Sequence, residues 1–347
     1  MYRKIFVFLL VSQKFLIHLK GNPVTSNVRE QLQELINRMW RLDTDRPTDY
    51  RLDWGRQCDG YRNIAANKST NSESTVSDSF RLFTYVNEGI FRKGQYSTLI
   101  SLYSSSLFRP FNNRIDMNAF EQNEYLMRDV FDAFTNTTVF MEALRYLQEK
   151  VTSLLKVNFQ AGTTATSGYL ISGLLHTIEG ELICNCVDSN PTIVHSAFLV
   201  YLGFQHVYLG EWKGMTVGGL HSWVRYYHLE QSGAINYYCY INHAEDISGT
   251  VSFSWEGRKK KVGGFNIATS PAFDFAVFTI CALLHPGQKS CSYKLNGYSI
   301  AITTYRMQCS TGTCLASAYP TYIPETMLLK QIMDNTSVPL NNQYFFH

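Results

Sequence analysis

Residues 203–221 read GFQHVYLGEWKGMTVGGLH, and here the chain changes character. Residues 207–209 are expected to form a short strand opened by His206. Gly218 and Gly219 mark a turn, and His221 begins a helix that ends near Gly233. Downstream, residues 237–241, 250–255 and 299–305 are rich in β-branched and aromatic side chains and read as strands. A second helix opens at Ser270-Pro271, an N-cap followed by proline at the first helical position. It stops at Pro286-Gly287.

Upstream the spacing is helical. Asn27 with Glu30 resembles a capping box, and Val28, Leu32, Leu35, Ile36, Met39 and Leu42 follow at helical intervals. Further helices are expected around 82–91, 96–103 and 123–134, the last with Met127, Val130, Phe131 and Phe134 on one side. Leu144, Leu147, Val151, Leu154 and Leu155 mark another. The polar run 64–78 reads as a loop, and the Gly/Thr/Ser stretch 161–168 as a break. Helices first and strands later predict an α+β protein: a helical lobe over 22–188, a β-rich lobe of antiparallel sheets with two helices over 189–325, and a tail over 326–347.

Composition fits this reading. The chain has 347 residues, 45% hydrophobic and 17% charged, which is globular rather than disordered. The net charge of +3 owes much to Arg3, Lys4, Lys14 and Lys20, since residues 1–21 contain no acid. The rest is close to neutral, so a polyanion would need a local basic patch. Residues 1–21 read as a secretory signal, with a basic start and an apolar run over 5–11 that is too short to span a bilayer. The Asn67, Asn136 and Asn335 sequons and eight cysteines agree with a secreted glycoprotein. Cys281 with Cys291, and Cys309 with Cys314, are plausible short-range disulfides. Cys184-Asn-Cys186 is too tight for the usual zinc spacing.

His206 and His221 are candidates for chemistry, because a glycine turn can bring two side chains fifteen residues apart into one cleft. Paired imidazoles suit the cleavage of RNA by its own 2′-hydroxyl: one takes a proton and the other gives one, and histidine supplies both states near neutral pH. The run Arg258-Lys259-Lys260-Lys261 offers cations for the charge that develops on phosphorus. By residue type alone, a metal-binding histidine pair or a binding module explains the two histidines equally well.

The ordered blocks GFQHVYLGEWKG, VGGLHSW and NYYCY, then WEGRKKKVGG over 255–264, TSPAFDFA over 269–276 and LASAYP over 315–320, resemble the EndoU family of poly(U)-specific endoribonucleases. RMWRLD over 38–43, FTYVNEGIF over 83–91 and YSTLISLY over 96–103 resemble its helical lobe, so the likeness runs from about Leu32 to Tyr322. It implies an enzyme that cleaves single-stranded, uridine-containing RNA to 2′,3′-cyclic phosphate and 5′-hydroxyl ends, and a monomer is expected. It also implies support from manganese or another divalent ion such as calcium. His221 matches the general base, His206 the general acid and Lys260 the catalytic lysine, with Lys261 one position out of register. Ser317 and Tyr319 match the residues that hold uracil, and Glu211 the glutamate of a Gly-Glu pair. Gln205 replaces a family glutamate, Lys261 replaces a proline, and residues 184–189 diverge. The alternative is a secreted RNA-binding protein that keeps the fold without turnover.

Overall fold

The computed structural model describes residues 26–58, 80–105, 117–160, 203–309 and 312–324. The expected signal over 1–21, the loop over 64–78, the break over 161–168, Cys184, Cys186 and the tail over 326–347 lie outside the described residues. So do the Asn67 and Asn335 sequons.

Helix α1 (Ser26–Leu42) buries Leu32, Leu35, Ile36 and Met39 along one stripe, as its spacing predicts. Then come β1 (Tyr50–Leu52) and β2 (Phe83–Val86), which pair antiparallel. A 3₁₀ turn (Glu88–Arg92) leads into α2 (Gly94–Tyr103). The helix expected over 82–91 is therefore a strand and a 3₁₀ turn, because Phe83 and Val86 face inward from a β ladder. Helices α3 (Met117–Thr135) and α4 (Thr138–Gln160) follow, joined by a short turn that exposes Asn136.

The second half begins with a wide turn (Gln205–Leu209), then β3 (Glu211–Lys213), β4 (Thr216–Gly218) and α5 (Trp223–Gln231). Strands β5 (Ile235–Ala244), β6 (Ser248–Trp255) and β7 (Arg258–Asn266) follow, and the sheet order is β3-β4-β7-β6-β5. This sheet is mixed: β4 and β7 run parallel, while its other neighbours run antiparallel. After α6 (Pro271–Leu284), β8 (Cys291–Leu295), β9 (Tyr298–Cys309) and β10 (Gly312–Tyr322) form an antiparallel sheet in the order β10-β9-β8. The chain is an α+β protein, as its order of elements predicts.

Helix α6 joins the two halves. It is apolar on nearly every side, the pattern of a helix with no solvent face. It packs on α1, α2, α3 and α4 on one side and on β9 and β10 on the other. Its first turn is capped from several directions. Ser270 Oγ accepts from Phe273 N (3.1 Å), Asp43 Oδ2 from Ser270 N (3.0 Å) and Gln95 Oε1 from Ala272 N (2.9 Å). Those bonds satisfy backbone donors that burial would otherwise strand. A second tie is Glu230 of α5, whose carboxylate accepts from Leu82 N (2.7 Å) and Phe83 N (2.9 Å).

Among the described residues two disulfides are present, Cys58–Cys239 and Cys281–Cys291. The second is the expected short-range pair. The first links positions 181 residues apart and is not visible in spacing. The side chains of Cys309 and Cys314 are outside those described. No helix among the described residues is long and apolar enough to cross a membrane.

Candidate active site

His206 does not sit on a strand. Residues 205–209 form a π-type turn, closed by Gly210 N donating to Gln205 O (2.9 Å). The turn leaves inner carbonyls unpaired, and the segment before α5 satisfies them: Leu220 N donates to His206 O (2.8 Å) and His221 N to Val207 O (2.7 Å). The two histidines are thus locked together through backbone bonds. Gly219 makes this approach possible. Its φ is +61°, and a Cβ there would lie 1.7 Å from His206 O. Leu220 also has a positive φ, 62°, and is fully buried. Such a conformation in a branched residue persists only where the surroundings enforce it.

The imidazole rings lie 5.9 Å apart. His206 Nδ1 is 2.9 Å from Glu211 Oε1, and Lys213 Nζ reaches the same oxygen at 2.9 Å. Burial alone would raise the Glu211 pKa, but the bonds from His206 and Lys213 outweigh it and hold the carboxyl at about 2. An ionised carboxylate only accepts, so His206 Nδ1 carries the proton in this bond and Nε2 is left for substrate.

His221 is paired differently. Its Nδ1 lies 2.8 Å from the carbonyl oxygen of Gly264, which also only accepts, so Nε2 is again the free nitrogen. Burial pushes the His221 pKa well below the usual histidine value, helped by the cations of Lys260 and His206, while the Gly264 bond works the other way. Near neutral pH this ring is an uncharged base.

Lys260 arrives from β7. Along residues 258–261 the exposure alternates, so Lys260 turns inward while Lys259 and Lys261 are exposed. Burial draws the Lys260 pKa down to about 8, Glu211 opposes the shift and Lys213 adds to it. Near neutral pH the ammonium is still mostly charged.

Ser317 and Tyr319 come from β10. A register shift between Leu315 and Ser317 marks a bulge immediately before them. The Tyr319 ring stacks on His221 at 4.8 Å and 20°. Ser317 Oγ is buried with no hydrogen-bond partner among the described residues. All these groups line one cleft of about 1530 Å³. Of the expected site residues, His206, Glu211, His221, Lys260, Ser317 and Tyr319 line it, and Lys261 does not. Lys213 lines it too and is a new member. Its position two residues after Glu211 on a strand, hence on the same face, was the available signal.

A divalent ion finds little here. Among the described residues, no three His, Cys, Asp or Glu side chains gather closely enough to hold a metal. The carboxylate of Glu211 is already held between His206 and Lys213. This donor set does not fit a resident divalent cation.

Fold and site define an α+β protein with a two-histidine cleft at the junction of its sheets. Residues 201–320 match the family model Endoribonuclease XendoU. Uridylate-specific endoribonucleases are similar to this chain: one from Paralichthys olivaceus is 38% identical over 34% of this chain and 32% of its own length. Those of Bos taurus and Homo sapiens are 28% and 26% identical, each over 82% of this chain and 62% of their own length. The chain thus spans less than two thirds of these three relatives. The solved structure titled "The structure of XendoU: a splicing independent snoRNA processing endoribonuclease" shares the fold, with a TM-score of 0.52 and 24% identity over 85% of this chain and 97% of the other. Over residues 201–320 the chain is thus similar to the EndoU family, and its overall fold is that of the solved relative.

Proposed function

We propose that the protein is an endoribonuclease that cleaves single-stranded RNA at uridylates by attack of the 2′-hydroxyl on the adjacent phosphorus. The observation that carries this reading is the unlike pairing of the two histidines. His221, neutral and anchored on a carbonyl, takes the 2′-hydroxyl proton at Nε2. The freed oxygen bonds to phosphorus, the bond to the 5′-oxygen breaks, and His206 gives that oxygen a proton from Nε2. Glu211 holds the acid in place. Lys260 neutralises charge on the phosphorane. The products are a 2′,3′-cyclic phosphate and a 5′-hydroxyl. Proton transfers of this kind contribute roughly 10²- to 10⁴-fold each.

Uracil would be held by Tyr319 and read by Ser317, whose unpartnered hydroxyl can serve a base edge. The protein would act as a monomer. The disulfides agree with the secretion that residues 1–21 imply, which N-terminal sequencing of the mature protein would test.

The test incubates the protein with a uridine-containing oligonucleotide, with and without manganese, and analyses the ends. Cyclic phosphate ends are expected, and 3′-hydroxyl ends would exclude the mechanism. RNA that is bound but left intact would favour a binding protein that has kept the fold. His206→Ala and His221→Ala should each cost at least about 10²-fold in rate.

A further inference from the structure

The cleft continues beyond the residues used above. Register pairs Ser317 of β10 directly with Tyr305 of β9, and Tyr319 with Thr303. Directly paired residues share a face of the sheet, so Tyr305 stands on the same face as Ser317 and Tyr319. Tyr305 is 41% exposed, a large ring turned to solvent in the cleft wall. Its ring lies 6.2 Å from that of Tyr319, tilted by 32°.

The support around Tyr305 is built rather than loose. Gln288 Nε2 donates to its hydroxyl (3.1 Å). The loop carrying Gln288 is fastened to β9 through Gly287 N on Thr304 Oγ1 (2.9 Å), Thr304 N on Gly287 O (3.0 Å) and Lys289 N on Thr303 Oγ1 (3.2 Å). Lys289 is exposed, lines the same cleft and forms no ion pair among the described residues. None of these residues has a part in the cleavage chemistry above.

The rings form a row. His206 is 5.9 Å from His221, His221 is 4.8 Å from Tyr319, and Tyr319 is 6.2 Å from Tyr305. His206 serves the leaving 5′-oxygen, so its end of the row faces the nucleotide 3′ to the cut. The far end faces the other way. We infer that Tyr305 is a stacking platform for the base on the 5′ side of the uridylate, with Lys289 placed for the phosphate that joins the two. The inference rests on the cleavage reading above and extends it from one nucleotide to two. An exposed aromatic ring beside a cation is how single strands are held without reading their sequence, so the upstream base is expected to be of any type.

The experiment compares four substrates on the wild-type protein and on Tyr305→Ala, Tyr305→Phe and Lys289→Gln. They are the dinucleotide UpA, the trinucleotides ApUpA and CpUpA, and a trinucleotide with an abasic 5′ residue. Wild type should gain about 5- to 100-fold in kcat/KM from the 5′ base, the range of one base–aromatic stack. Tyr305→Ala should erase that gain and leave UpA unchanged. Tyr305→Phe should keep it. Lys289→Gln should weaken all three trinucleotides alike, including the abasic one.

A wild-type protein that cuts ApUpA no better than the abasic substrate would overturn the platform while leaving the cleavage reading intact. A Tyr305→Ala protein that loses UpA cleavage as well would assign the ring to the uridine pocket instead. If wild type cuts none of the four, the cleavage reading fails and the inference falls with it.

Discussion

At the scale of single residues, the site separates two chemically identical side chains by what each Nδ1 touches. A carboxylate beside His206 and a carbonyl beside His221 leave both Nε2 atoms for substrate in different charge environments. The pH profile should show it. The His221 pKa lies well below the ordinary histidine value, so the base proposed above should stay deprotonated as pH falls through 6.5 and protonate only further into acid. On the alkaline side, Lys260 loses its proton near 8, so kcat/KM should decline as pH rises through that value. Lys260→Arg should move this alkaline limb upward, whatever it does to the maximal rate, because arginine does not deprotonate in this range. A limb that stays in place would remove Lys260 from the titration. Lys261→Ala, on the exposed side of the strand, should leave turnover within about threefold, as surface substitutions usually do.

At the scale of elements, the decisive piece is the joint between the wide turn at Gln205–Leu209 and the segment before α5. It places both histidines through backbone bonds, so its geometry depends on neither side chain. Gly219→Ala should therefore be severe. The positive φ and the collision with His206 O together should cost about 1–3 kcal/mol or more of stability and disrupt the site. Thermal unfolding measured beside activity would check this, and a variant with normal melting and normal turnover would show that the joint tolerates a Cβ. Strand β7 shows a related economy of placement. Strand alternation alone turns one lysine of three toward the cleft, with Phe253 of β6 opposite it in register.

At the scale of the whole molecule, both halves depend on long-range ties that reach the cleft. The disulfide Cys58–Cys239 fastens the segment after β1 to β5, where Cys58 N also donates to Tyr240 O (2.8 Å), and Gln57 and Cys58 line one end of the cleft. Cys58→Ser with Cys239→Ser should lower the unfolding free energy by about 2–5 kcal/mol in denaturant titration. An unchanged midpoint would show that the hydrogen bonds alone hold the strap. Buried carboxylates should give stability its pH dependence. Burial raises Asp274 to about 7, against the bonds from Asn266 and Thr269, and likewise raises Glu230 to about 7, against those from Phe83 and Leu82. Folded-state pKa values above the unfolded ones stabilise fully below the unfolded values of 3.8 and 4.5, and that contribution is lost as pH rises from there through 7. Asp274→Asn should flatten this slope in melting temperature between pH 5 and 8.

The helices of the first half, the later strands over 237–241, 250–255 and 299–305, the two histidines, the lysine run and the α+β class were legible in the amino-acid sequence. Each is written in local periodicity or in blocks of residue types whose spacing is short. Helix α6 was legible from its cap and proline, because those interactions close within one turn. Three things only the tertiary structure decided. The turn carrying His206 reads locally as a strand, since Val207, Tyr208 and Leu209 favour one; it takes its π form because Leu220 and His221 donate to its carbonyls from fourteen residues away. The resemblance put Lys260 ahead of Lys261, but that Lys260 alone of the two lines the cleft depends on the direction in which β7 faces, which a run of like charges does not reveal. Tyr305 and the carbonyl of Gly264 joined the site through pairings across strands and sheets, and such contacts leave no mark in sequence spacing.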